Sequence, residues 1–231
     1  MPIDFRSVDY LDAVNYDWEQ MGISADYSPW QAFLYESVTM TMRYFQTALI
    51  AFGANLPFKG MTPLQTLRLA VRSFPEVNLS RPTVSRFFAT PCFPAGAGPD
   101  YVNAAALLQV EKSMTGQDLL SRLHQIEEMF GRERARRWGM RTLDIDLLAL
   151  GDVVLPDVAT QTLWRDLDPA MQADQTPDGL ILPHPRLQSR AFVLVPLADV
   201  APAWRHPLLN LTVSEMLAAL PAADLADVQP L

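Results

Sequence analysis

TVSRFFATPCFPAGAGPDYVNAAALLQV, Thr83 to Val110, holds two strand-like runs separated by a glycine- and proline-rich loop, and how those runs pair decides the fold. TVSRFFATP alternates as a strand from Thr83, PAGAGPD from Pro94 reads as loop, and YVNAAALLQV from Tyr101 is a second run. Consecutive runs joined in this way are expected to lie antiparallel. Upstream, TALIAF (Thr47–Phe52) reads as a short buried strand and GANLPFKG (Gly53–Gly60) as a loop. A helix should follow. Thr62 is an N-cap, Pro63 opens the first turn and Gln65 completes a capping box, while Leu64, Leu67, Val71 and Phe74 form one apolar face. Downstream, Thr115 and Asp118 cap a second helix whose Leu119, Leu120, Leu123, Ile126 and Phe130 face inward, with Gly131 as its stop. TLDIDLLAL (Thr142–Leu150) then returns as a strand.

Strand, helix, strand, strand, helix, strand is the ferredoxin-like order, an α+β sandwich with both helices on one face of an antiparallel sheet and the other face open to ligands. Residues 157–179, polar and marked by prolines, read as an insertion or long loop. RAFVLVPLADVAP from Arg190 reads as a last strand, and Thr212 with Glu215 caps a short terminal helix. Residues 1–44 show no sustained period. Their aromatics (Phe5, Tyr10, Tyr16, Trp18, Tyr27, Trp30, Phe33, Tyr35) argue against plain disorder, so they are read as an extension preceding a catalytic domain at 45–231.

Composition narrows the function classes. With 18 Lys plus Arg against 26 Asp plus Glu, the net charge of −8 opposes general attraction to nucleic acid or an anionic membrane, so a polyanionic ligand needs a local basic site. Cys92 is the only cysteine, which rules out an intramolecular disulfide and points to a reducing compartment, with Cys92 itself a small buried filler. The N-terminal residues lack the basic-then-apolar layout of a secretion signal, and AALL and FVLVP fall far short of the roughly 20 residues that cross a bilayer as a helix. A soluble cytoplasmic protein is expected.

That basic site is GRERARRWGMR, which places Arg132, Arg134, Arg136, Arg137 and Arg141 immediately before Asp144 and Asp146. Strand alternation puts both carboxylates on one face and Leu143, Ile145 and Leu147 on the other. An isolated D-x-D also suits the polar face of a half-exposed strand, and a charge run is usually solvated surface. Together they offer what a polyphosphate needs: guanidinium forks for its oxygens and carboxylates for a magnesium ion that bridges them. His184, Arg186 and Arg190 sit in a proline-stiffened loop. Taken singly, His184 suits a structural role, Trp138 suits an anchor for the arginine run, and Tyr101 with Asn103 suits an ordinary strand face or a stacking ring beside a bifunctional amide.

In order, AFGANL, PDYVNAA, RWGMRTLDIDLL and LPHPRLQSRAFVLVPLADVAP resemble the 6-hydroxymethyl-7,8-dihydropterin pyrophosphokinases of folate biosynthesis, from about Phe45 to about Pro202. The resemblance implies the ferredoxin-like fold and transfer of the β,γ-pyrophosphoryl group of ATP to the pterin's hydroxymethyl oxygen, releasing AMP. By its motifs Asp144 and Asp146 hold two magnesium ions, and Arg132, Arg134, Arg137 and Arg141 grip the triphosphate. Arg132 and Arg141 act during transfer. Glu127, His124, Trp138, Ile145, His184 and Arg190 stand on the ATP side; Thr90, Pro91, Phe93, Tyr101, Asn103 and Phe192 form the pterin site, with Tyr101 and Phe192 as the sandwich. ATP and the pterin are then the implied small-molecule partners, without nucleic acid or membrane. Departures are mild: Met140, Pro185 and Ala54 replace commoner residues, and no metal ligand or key arginine is lost.

Overall fold

In the computed structural model, residues 44–92, 96, 98–131, 141–168, 171 and 175–231 are described. Gln46–Leu231 forms one unit. Its centre is β1 (Phe45–Ala54), an apolar strand buried on both faces. One edge of β1 pairs antiparallel with β5 (Asp144–Leu150). Its other neighbour is β4 (Tyr101–Glu111), which in turn pairs antiparallel with β2 (Thr83–Val84) and β3 (Phe88–Thr90). A short β6 (Gln229–Pro230) lines the far side of β3, so the sheet runs β5-β1-β4-β3-β6. The expected strand from Thr83 is thus broken into two pieces around residues 85–87.

The two expected helices form where their caps place them. In α1 (Pro63–Arg72) the Thr62 hydroxyl accepts the Gln65 N–H and the Gln65 side chain accepts the Thr62 N–H; Thr115 and Asp118 do the same for α2 (Gly116–Met129). Each box satisfies two N–H groups that the first turn leaves without intrahelical partners. The apolar faces of both helices (Leu67, Ala70, Leu119, Leu123, Ile126) pack with Ala48, Ile50, Phe52, Ala104, Ala106 and Ile145 in the first core. Two helices on one side of strands ordered β5-β1-β4-β3 is the ferredoxin-like α+β sandwich.

The opposite face differs from expectation. RAFVLVPLADVAP is a helix, α4 (Ala191–Val200), and not a strand. Ala191, Val193, Leu194, Pro196 and Leu197 are all buried in it, because the segment lies between the sheet and α5 (Val213–Ala218), in a second core with Leu49, Ala51, Ala105, Leu148 and Ala149. A short apolar run without clear period fits either a buried strand or a buried helix, and tertiary burial on two sides selected the helix. Among the described residues the second face is left open beyond the N-terminal end of α4, where Phe192 and the Asp146 side chain are exposed. The segment read as insertion or loop begins with a helix, α3 (Val158–Asp166), whose cap Asp157 accepts the Thr160 N–H at 2.9 Å.

Candidate active site

At the uncovered end, alternation brings together side chains that lie far apart in sequence. Gly53 pairs with Asp144 and Ala51 with Asp146 across β1 and β5; Thr90 pairs with Tyr101 and Phe88 with Asn103 across β3 and β4. Ala54, Ala104 and Ile145 belong to the first core, so Gly53, Asn103, Tyr101, Asp144 and Asp146 alternate to the opposite face. A side chain at Gly53 would put its Cβ 3.3 Å from Asn103 Oδ1 and 3.9 Å from Tyr101 Cδ1, so the missing Cβ leaves the floor clear under both groups. Gly53, expected to start a loop, is the penultimate residue of β1.

On the expected pterin side, buried Asn103 donates from Nδ2 to Thr90 Oγ1 at 2.7 Å, which orients its amide with Oδ1 toward Gly53. Burial raises the Tyr101 pKa above its ordinary value, with the Asp144 charge adding to it and Arg141 opposing, so the phenol stays neutral as a stacking surface. Pro91, directly after Thr90, is exposed. Phe192 opens α4 with 40% exposure, and the Arg190 guanidinium lies over its ring at 5.5 Å from the centroid. Phe93 lies outside the described residues.

A cation stands beside each aspartate. Arg141 forms an ion pair with Asp144, and Arg190 Nη1 is 3.9 Å from Asp146 Oδ2; the carboxylate side chains are 27% and 41% exposed. Burial lowers the Arg190 pKa below its ordinary value, with Asp146 opposing, and an arginine guanidinium remains a cation in proteins. Arg190 thus touches both an aspartate and the ring of Phe192. His184 behaves differently: burial first, then Arg190 and Arg186, push its pKa down to about 3. Its Nδ1 accepts the Arg186 N–H at 3.1 Å, so the ring proton sits on Nε2, while its backbone N–H donates to Leu148 O at 2.7 Å and covers the outer edge of β5.

The same edge is capped by Glu127. This residue on α2 is 0% exposed, and its Oε1 accepts the Ile145 N–H, between the two aspartates, at 2.7 Å. His124 Nε2 lies 4.0 Å from Glu127 Oε2. The Ile145 side chain is in the first core. Glu127 and Ile145 are therefore enclosed by protein, and their bond presents Asp144 and Asp146 outward. Arg132, Arg134, Arg136, Arg137 and Trp138 lie outside the described residues.

The donor set fits magnesium: two partly exposed carboxylates side by side supply hard oxygen ligands and leave positions for phosphate oxygens and water. Among the described residues no group of three or more His, Cys, Asp or Glu is placed to hold a metal ion.

Residues 49–202 match the family model of 7,8-dihydro-6-hydroxymethylpterin-pyrophosphokinase. Relatives named 2-amino-4-hydroxy-6-hydroxymethyldihydropteridine pyrophosphokinase include that of Pseudomonas aeruginosa, 35% identical over 76% of this chain and 93% of the relative. The Haemophilus influenzae protein of that name is 33% identical over 67% of this chain and 81% of its own length, and the Synechocystis one 37% identical over 57% and 56%. Among solved structures, a triple mutant of Plasmodium falciparum HPPK-DHPS aligns over 75% of this chain and 44% of that chain with a TM-score of 0.52 and 15% identity, a likeness of fold. The match to the family model spans the aspartate pair, the Thr90–Asn103 pair and the head of α4, and on it this chain belongs to the 7,8-dihydro-6-hydroxymethylpterin-pyrophosphokinase family.

Proposed function

We propose that this chain transfers the β,γ-pyrophosphoryl group of ATP to the hydroxymethyl oxygen of 6-hydroxymethyl-7,8-dihydropterin, within a catalytic domain at residues 45–231. The observation that carries the reading is the display of Asp144 and Asp146, each beside an arginine, on the same sheet face as the Thr90–Asn103 pair. The new bond joins the pterin oxygen to the β-phosphorus as the hydroxyl O–H bond gives up its proton; the bond from that phosphorus to the α-phosphate bridging oxygen breaks, and AMP leaves. Asp144 and Asp146 would hold two magnesium ions, which when bound neutralise phosphate charge and lower the pKa of the attacking alcohol.

The remaining work falls to the chain. Arg141 and Arg190 sit beside the carboxylates, placed to pair with phosphate oxygens as charge shifts toward the leaving group. Arg132, Arg134, Arg137 and Trp138 complete the grip on ATP in this reading. His184, neutral with its proton on Nε2, is a hydrogen-bond donor at neutral pH and not a base. Glu127, His124 and Ile145 act from behind by fixing β5. Asn103, oriented by Thr90, reads the amide edge of the pterin, Tyr101 and Phe192 supply stacking surfaces, and Pro91 and Phe93 belong to the pterin site in this reading. No helix among the described residues is long and apolar enough to cross a membrane, and we place the reaction in the cytoplasm.

The test is product analysis. Incubation with magnesium, ATP and the pterin alcohol is expected to yield AMP and pterin diphosphate in equal amounts, from the full chain and from one beginning at residue 45 alike. ADP with a pterin monophosphate would overturn the reading. A folded truncation slowed more than about tenfold, about 1.4 kcal/mol of barrier, would move the domain boundary.

A further inference from the structure

Asn55, directly after β1, is 1% exposed and bridges two loops with one amide. Its Oδ1 accepts the Arg141 N–H at 2.9 Å, and the backbone N–H groups of Asn55 and Leu56 donate to Arg141 O at 3.0 and 3.1 Å. Its Nδ2 donates to Pro99 O at 3.2 Å. Arg141 ends the arginine run and carries the guanidinium paired with Asp144. Pro99 stands two residues before Tyr101, in a loop that Asp100 ties back by accepting the Cys92 N–H at 3.4 Å. The stem of the nucleotide-side run and the stem of the pterin-side loop therefore meet on a single buried side chain.

That side chain has to be an amide. It needs an acceptor for the Arg141 N–H and a donor for Pro99 O on the same short planar group; aspartate offers only the acceptor, and an apolar residue offers neither. A buried N–H or C=O left without its partner is costly, so the bridge resists loosening at either end.

We propose that Asn55 is a positioning residue of the transfer reaction, an inference that rests on the pyrophosphokinase reading. Its acceptor end sets the stem from which Arg141 reaches Asp144; its donor end sets the loop that leads into Tyr101. Together they fix the spacing between the two substrate sides, and Asn55 itself touches neither substrate.

The two ends are separable by Asn55→Ala, which removes both, and Asn55→Asp, which keeps the acceptor and removes the donor. In Asn55→Ala the Arg141 amide is expected to lose hydrogen-exchange protection, kcat to fall about tenfold or more and KM for the pterin to rise. In Asn55→Asp the protection and a kcat closer to native should remain while KM for the pterin rises as in the alanine variant. A purely structural role would lower melting temperature in both without separating kcat from KM. Native Arg141 protection in Asn55→Ala, or native kcat and KM in the folded variant, overturns the proposal. If the alanine variant does not fold, an unchanged pterin KM in Asn55→Asp does so alone. The native protein is assayed alongside: failure to release AMP from ATP sinks the pyrophosphokinase reading, whereas the exchange data still judge the bridge.

Discussion

Asp144 and Asp146 carry different neighbours, and this shapes what their removal does. Asp144 is paired with Arg141, while Asp146 is more exposed and only loosely approached by Arg190. Substituting Asn at either position keeps the size and removes one anionic ligand. We expect both variants to fold and to lose at least about a hundredfold in kcat, the scale on which charge-stabilising groups act in transfer chemistry. Melting should fall slightly more in Asp144→Asn, which leaves the Arg141 guanidinium without its carboxylate. Near-native turnover at limiting magnesium in either variant would remove the metal assignment. The aspartates were legible in sequence because two-residue alternation is a local property. Gly53 and Asn55 were not, since a glycine at a strand end and an asparagine beyond it look like any loop until Asn103, Pro99 and Arg141 are seen against them.

Among the elements, the helices with complete capping boxes were the most readable, because each cap is written within four residues. The end of α2 is equally local. Gly131 has φ +74°, a left-handed conformation that avoids the Cβ clash of other residues, and an added Cβ would lie 2.8 Å from Phe58 Cε2. The Phe58 ring cannot withdraw freely, being packed at 5.7 Å from Phe130 with Lys59 above it. Gly131→Ala is therefore expected to lower stability by about 1–2 kcal/mol, read from urea unfolding. An unchanged midpoint would mean that the helix ends elsewhere in solution. The element read wrongly was α4. Its residues are apolar nearly all round, so periodicity had nothing to report, and only the sheet beneath and α5 above made it a helix.

At the scale of the whole molecule, a buried histidine and a partly buried one tie stability to pH. His206 is 0% exposed, its Nδ1 accepts the N–H groups of Leu208 and Leu209 at 3.2 Å each, and burial followed by Arg165 pushes its pKa down to about 4; His184 falls to about 3. In the unfolded chain both return to about 6.5. Below that pH the unfolded state binds protons that the folded state refuses, so stability is complete above about 6.5 and is lost as pH falls toward 4 and 3. Melting temperature should be level from pH 8 to 7 and decline from 6.5 to 5, before ordinary carboxylates titrate, and His206→Gln should flatten that decline. A native profile flat to pH 5 would contradict the burial. By itself the sequence determined the strand and helix order from β1 to β5, with β2 and β3 as a single run, the caps and the paired aspartates, because each depends on contacts a few residues apart or on simple alternation. Only the tertiary structure decided that α4 is a helix closing most of the second face, that Glu127 is enclosed as a brace for β5, and that Asn55 joins the two loop stems. Those outcomes depend on burial and on hydrogen bonds between residues up to 86 positions apart, which no local pattern encodes.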